Sequence, residues 1–209
     1  APDPRRRQAV TVTEFINPFE SHFDGKHDWH TLGLDRRYQA ISTEQFRAIF
    51  SRHPGGLVVI TAQGPAGPVA LTASSLASVS ADPPLMVFSL SANSSSTAAI
   101  VAAETAVVHF IDVESMHIAK LAATSGADRF ADTTLWSRLD TGEPFFHVVP
   151  VWIRVHPIER LTAGDSTVVL AQGVEGSMPA ERLSELGSRD GLAYVNREFH
   201  LLGSRSRVE

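Results

Sequence analysis

The stretch "LTASSLASVSADPPLMVFSLSANSSST", Leu71 to Thr97, decides how this chain is read. Its apolar run Pro84-Leu85-Met86-Val87-Phe88 reads as a buried strand. Hydroxyl residues crowd both flanks: Thr72, Ser74, Ser75, Ser78 and Ser80 before it, and Ser89, Ser91, Ser94, Ser95, Ser96 and Thr97 after it. A buried hydroxyl is costly unless it is bonded. Two answers stand. Serine and threonine serve as turn and cap residues, bonded to their own backbone. Alternatively, the two loops converge at one rim of a barrel and bind a ligand. Backbone N–H groups at the start of the next helix, with Ser95 and Thr97, then suit a phosphate. Arg129 adds charge, and Thr72, Ala73, Ser74 and Ser75 offer polar groups to the edge of a flat heterocycle.

Working outward, "ISTEQFRAIFSRHPGG" predicts a helix. Ser42 and Gln45 have capping-box spacing, and Phe46, Ile49 and Phe50 share one face, with Pro54, Gly55 and Gly56 as the stop. "LVVITA" (57–62) and "VALTA" (69–73) form a hairpin across the turn-rich 63–70 segment. Further strands are expected at 85–90, 106–112, 148–164 and 166–178, the last two meeting at Gly164-Asp165. Helices are expected at 94–104, capped by Ser94 or Ser95, and at 114–123, and a short helix and a turn at 181–191. A strand or extended piece covers 192–202. Strands dominate without regular strand–helix alternation, so the expected fold is one mainly antiparallel β-barrel, residues 42–209, with a few peripheral helices. Residues 1–41 show no clean period and read as an extension that packs on the barrel or on a partner subunit.

Of the 209 residues 43% are hydrophobic and 20% charged, which is ample for a core. The net charge of −5 argues against a nucleic-acid surface. With no cysteine there are no disulfides, iron–sulfur clusters or thiolate zinc sites. A cytoplasmic home is expected: no apolar run is long enough to span a membrane, and the start "APDPRRRQAV" has no signal-peptide core. Only Lys26 and Lys120 could form a Schiff base. A GxGxxG after a strand, a P-loop, a GxSxG elbow and an HExxH are all missing. His22, His27 and His30 are spaced like a metal cluster, but in an irregular segment solvated loop histidines are the expectation, so no metal is assigned.

The stretches "FRAIFSRHPGGLVVITA", "GPVALTASSLASVSADPPLMVFSL", "SSST", "DRFAD", "LDTGEP" and "LTAGDSTVVLAQGV" follow one another through most of residues 46–175. Together they resemble the small flavin reductases of two-component monooxygenases, whose fold is an FMN-binding split β-barrel, Greek-key-like. The "RHP", "SSST", "RFAD…LW" and "LDTGEP" stretches resemble most the reductase of dibenzothiophene-desulfurising systems. The resemblance implies an NAD(P)H:flavin oxidoreductase, NADH favoured, supplying reduced FMN by diffusion to a flavin-dependent monooxygenase. It implies FMN as cofactor, with FAD as the second option, and a homodimer. It places Thr72, Ala73, Ser74 and Ser75 along the isoalloxazine and Ser95, Ser96 and Thr97 at the phosphate. Ser89 and Ser91 would lie along the flavin, with Arg129 and Phe130 close to it.

Three departures stand out. Ala70 replaces the family glycine before Leu71-Thr72. Gly164-Asp165-Ser166 replaces Gly-Asp-His, whose histidine serves the nicotinamide or the flavin in relatives. The late aromatic–Tyr ending reads "YVNREFH", so Ser166, Phe199 and His200 are the expected nicotinamide neighbours. Two other readings remain: a flavin-binding carrier or sensor without turnover, and a split-barrel oxidoreductase using a deazaflavin or its own organic substrate.

Overall fold

In the computed structural model, residues 40–180, 191–203 and 206 are described, all within the unit 40–209. The expected extension (apart from Ala40 and Ile41), the His22/His27/His30 group, and the helix at 181–191 (apart from Gly191) lie outside the described residues.

Seven strands form one antiparallel sheet: β1 (Val58–Gly64), β2 (Gly67–Ala73), β3 (Ala77–Ala81), β4 (Pro84–Ser91), β5 (Ala106–Phe110), β8 (Trp152–Ala163) and β9 (Ser166–Ser177). Their order is β2-β1-β5-β8-β9-β4-β3. The edge strands β2 and β3 are consecutive in sequence, joined only by Ser74-Ser75-Leu76. Laid flat, the sheet would separate its edges by roughly 29 Å, six strand spacings. The link spans at most about 14 Å. The sheet must therefore curl until its edges meet, which makes the expected split barrel. The seam is pinned at Ser75, whose hydroxyl donates to Ser89 O (2.9 Å) and accepts from Ser89 N–H (3.0 Å).

Two cores result. Strand alternation sends Val58, Ile60, Leu71, Phe88, Leu90, Val108, Val155 and Val169 inside the barrel. Leu57, Val59 and Ala70 face outward from the same sheet region, against Ile118, Ala119 and Ala122 of α3 (Met116–Ala123) and Phe130, Phe146 and Val149. Because β1 is buried on both faces, Val58, Val59 and Ile60 follow one another without polar alternation. Ala70 belongs to this outer core, fully buried.

A strap from 137 to 147, carrying β6 (Ser137–Arg138) and β7 (Pro144–Phe145), locks the outer core. Glu143 accepts from the Thr105 and Thr141 hydroxyls and from Arg154 Nε (2.6 Å). Burial raises its pKa, but these bonds outweigh burial and bring it down to about 2. His109 is fully buried. Its Nδ1 donates to Val59 O and its Nε2 accepts from Phe146 N–H, both at 3.0 Å. Burial pushes its pKa down to about 4, so this tautomer is neutral.

The capping box of α1 (Thr43–Phe50) is present in both directions. Other expectations need correction. Phe46, Ile49 and Phe50 share a face as expected, but that face is exposed. The helix at 94–104 is shorter, α2 (Thr97–Ala102), and begins after Ser96 rather than Ser94 or Ser95. Ser96 makes no side-chain cap; its hydroxyl reaches away to Ala70 O (2.9 Å). The single piece at 192–202 is a hairpin, β10 (Gly191–Val195) and β11 (Glu198–Leu202). Asn196 and Arg197 both turn through positive φ, the geometry of a type I′ turn.

Candidate functional site

Where the barrel's edges meet, a groove of about 480 Å³ opens, within the range of small-ligand sites. Its lining comes from elements far apart in sequence. The end of β2 contributes Leu71, Thr72 and Ala73, and the seam contributes Ser74 and Ser75. Ser89 and Ser91 alternate with the core residues Phe88 and Leu90, so period two turns both hydroxyls away from the barrel interior. Asn93, Ser94 and Ser95 line it from the loop after β4, and Ala122, Ala123, Ser125 and Arg129 from the end of α3 (Met116–Ala123) and the segment after it.

Ser166 completes the lining at the start of β9, opposite Ser91 in the ladder. The β8–β9 turn is tied to the serine loop by Ala92 N–H donating to Asp165 O (2.8 Å). The turn depends on Gly164, whose φ of 62° favours a residue without Cβ. The Ser166 hydroxyl lies 3.3 Å from Asp165 Oδ1.

The hydroxyls divide into two sets. The first is committed to backbone. Thr72 donates to Ala119 O (2.6 Å) and so ties α3 to β2; Ser75 closes the seam; Ser96 donates to Ala70 O; Thr97 donates to Ser91 O (2.6 Å). Ser96 and Thr97 are buried and do not line the groove. The resemblance placed both at the phosphate; here they anchor the loop that presents Ser94 and Ser95. The second set borders open space: Ser74, Ser89, Ser94, Ser95 and Ser125, with the Asn93 amide. Ser91 is intermediate, since its hydroxyl accepts from Asn93 N–H (3.3 Å), and so is Ser94 within the second set, whose hydroxyl accepts from Ser96 N–H (3.4 Å).

Arg129 lines the groove as expected. Its Nε donates to Ala122 O (2.9 Å) and its Nη2 to Thr124 O (3.1 Å), so carbonyls at the end of α3 fix the guanidinium. Phe130 points the other way. It is 8% exposed, stacks on Phe146 at 5.3 Å and meets Trp136 edge-on at 5.0 Å. It belongs to the outer core and does not line the groove. A smaller cleft of about 200 Å³ adjoins the groove at Thr72, Ala73, Ser74 and Ala123, and is otherwise lined by Leu57, Ala119, Tyr194 and Phe199. Phe199 thus reaches the site's border, while His200, its neighbour on β11, lines neither cavity. Asn93 and Ser125 were not singled out in the sequence: nothing local marks them, and only the fold brings them to the groove.

A flavin nucleotide fits this donor set. The lining combines apolar Leu71, Ala73 and Ala122 with several hydroxyls and the Arg129 guanidinium. Among the described residues no group of three or more His, Asp or Glu side chains could hold a metal.

Comparison with known proteins agrees with this reading. The flavin reductase-like domain model matches residues 50–203. An NADH:FMN oxidoreductase of Rhodococcus qingshengii is 43% identical over 130 residues, 62% of this chain and 68% of that protein. An NADH:riboflavin 5'-phosphate oxidoreductase of Streptomyces pristinaespiralis is 30% identical over 77% of this chain and 89% of its own length. The crystal structure of a flavin reductase domain protein from Arthrobacter sp. FB24 superposes with a TM-score of 0.68 at 26% identity, covering 76% of this chain and 94% of that one. With its split barrel and a family match over more than half its length, the chain belongs to the flavin reductase-like domain family.

Proposed function

We propose that this protein is an NADH-dependent FMN reductase that supplies reduced flavin to a partner monooxygenase. The observation that carries the reading is the hydroxyl-lined groove at the barrel seam, with Arg129 fixed at its wall. Bound FMN supplies the redox chemistry, taking a hydride from a reduced nicotinamide. The chain's part is to bind and orient. Ser94, Ser95 and Asn93 hold the phosphate, with Arg129 as counter-charge. Ser74, Ser89 and Ser91 give the ring system a polar edge, and Ala73 and Ala122 pack on its flat faces. Thr72 acts through α3, whose position sets the width of the groove. The nicotinamide approaches from the cleft bordered by Tyr194 and Phe199. Ser166 lines the groove beside Ser91, shorter than an imidazole and without a titratable charge.

The finer parts of this reading are a homodimer, release of reduced FMN by diffusion, a cytoplasmic setting and service to a desulfurising oxygenase. The exposed apolar residues Ile158, Leu161 and Val174 on the β8–β9 ribbon support a second copy as neighbour.

Anaerobic addition of NADH, and separately NADPH, to protein with excess FMN tests the proposal. Visible flavin absorbance is expected to bleach catalytically and faster with NADH. Flavin that binds but does not bleach above the protein-free rate would instead mark a carrier.

A further inference from the structure

A third cavity, of about 780 Å³, lies between α1 and the β10–β11 hairpin and shares Ser74, Ser75 and Ser89 with the groove. The two cavities therefore border one another at the Ser75–Ser89 seam. The chemistry there differs from that of the groove. Phe46 and Phe50 line it with rings 4.5 Å apart and 29° from parallel, and both side chains are at least half exposed. Tyr194 lines it as well. Arg47 from the helix and Arg197 from the hairpin turn supply cations from two sides, with His53 at the helix end. No acidic residue is among those described around it, although the whole chain carries a net charge of −5. Glu44 lines only the neighbouring hollow, again with Arg47 and Arg197.

The frame is held by backbone. Gly55 and Tyr194 exchange two hydrogen bonds (3.0 and 2.8 Å), and Asn196 N–H donates to Ser51 O (2.7 Å). A Cβ on Gly55 would stand 2.8 Å from Ser74 O, so only glycine lets the helix end approach the seam this closely. The two arginines are thus presented from elements tied together beside the groove.

Exposed aromatic rings favour stacking with a base, and paired arginines favour phosphate. On the reading that the groove holds FMN, we infer that this cavity is a subsite for an adenosine phosphate group, the end of a dinucleotide whose reactive ring reaches the groove. Two molecules carry that group here, NADH and FAD.

The test uses the full chain and three variants: Arg47→Gln, Arg197→Gly, which suits the φ of 65° at that turn, and the double change. ADP-ribose is titrated by calorimetry, FMN and FAD by flavin fluorescence. Wild type is expected to bind ADP-ribose, and the double variant at least about tenfold more weakly, while FMN affinity stays within about twofold. If NADH is the occupant, its KM rises by a similar factor and the KM of a phosphate-free N-benzyl dihydronicotinamide does not. If FAD is the occupant, its affinity falls and the KM of NADH holds. Should the double variant fail to fold, the two single variants carry the same comparison. No ADP-ribose binding by wild type, or equal binding by wild type and folded variants, overturns the subsite. Failure of wild type to bind FMN would overturn the flavin reading itself.

Discussion

Two polar regions of this protein use similar residue types to opposite ends. Around the strap, Thr61, Thr105, His109, Thr141 and Glu143 are all bonded inside the protein. Their polar atoms are spent on joining β1, β5 and β8 to one segment. Around the groove, Thr72, Ser75, Ser96 and Thr97 donate their hydroxyls in this way, while Ser91 and Ser94 only accept from nearby backbone. Their neighbours Ser74, Ser89, Ser94 and Ser95 border open space. The difference teaches that a serine-rich stretch is not one signal. Part of it is scaffold, and that part fixes the position of the part that meets ligand.

The comparison breaks most readily at Glu143. Replacing it by Ala leaves the half-buried Arg154 and Thr105 and the exposed Thr141 without the buried carboxylate they share. The expected loss is about 3–5 kcal/mol of stability in denaturant unfolding. FMN affinity of the folded protein should not change. A stability loss under about 1 kcal/mol would show that the strap does not depend on this carboxylate.

Acid sharpens the same contrast. His109 is neutral in the fold with a pKa near 4, against 6.5 for the free side chain. Between those values the unfolded state binds the extra proton, so stability falls as pH drops from about 6.5 to 4. The total for a shift of this size is about 3 kcal/mol. Glu143 then adds its own loss as pH falls from 4.5 toward 2. Unfolding free energy that stays flat between pH 7 and 4.5 would contradict the buried neutral histidine.

The scaffold hydroxyls come next. Ser96→Ala and Thr97→Ala should each cost about 1–2 kcal/mol, the usual penalty for removing the donor to a buried acceptor. Riboflavin affinity, read by fluorescence titration, should be unchanged in both. A drop in riboflavin affinity without a drop in stability would move these hydroxyls into the groove.

How far the sequence carried depended on the range of each interaction. The capping box of α1 and the turn at Gly164-Asp165 were legible because both are local. Strand β3 was missed: "ASVSA" is short, low in β-branched residues, and bulged between Ser78 and Ser80. The last hairpin was missed because Asn196 is followed by Arg197 rather than glycine. The two-residue strands β6 and β7 have no local pattern to read. In the site, the groove serines and Arg129 were legible through the family resemblance. The division between Thr97, turned to Ser91 O, and Ser95, facing the groove, was not. It depends on where α2 begins, and its N-cap, Ser96, lies one or two residues beyond the expected Ser94 or Ser95. Phe130 and Arg129 are adjacent yet serve different sides, a matter of backbone direction that composition does not record.

The central claim is that the open hydroxyls, and not the spent ones, hold the flavin phosphate. Titration of FMN and riboflavin into Ser95→Ala and Ser96→Ala tests it most directly. The account predicts that Ser95→Ala weakens FMN about tenfold, leaves riboflavin unchanged, and stays within about 0.5 kcal/mol of wild-type stability. Ser96→Ala should lose stability and keep the wild-type ratio of FMN to riboflavin affinity. The reverse pattern, with FMN selectivity lost at Ser96 and kept at Ser95, would contradict it.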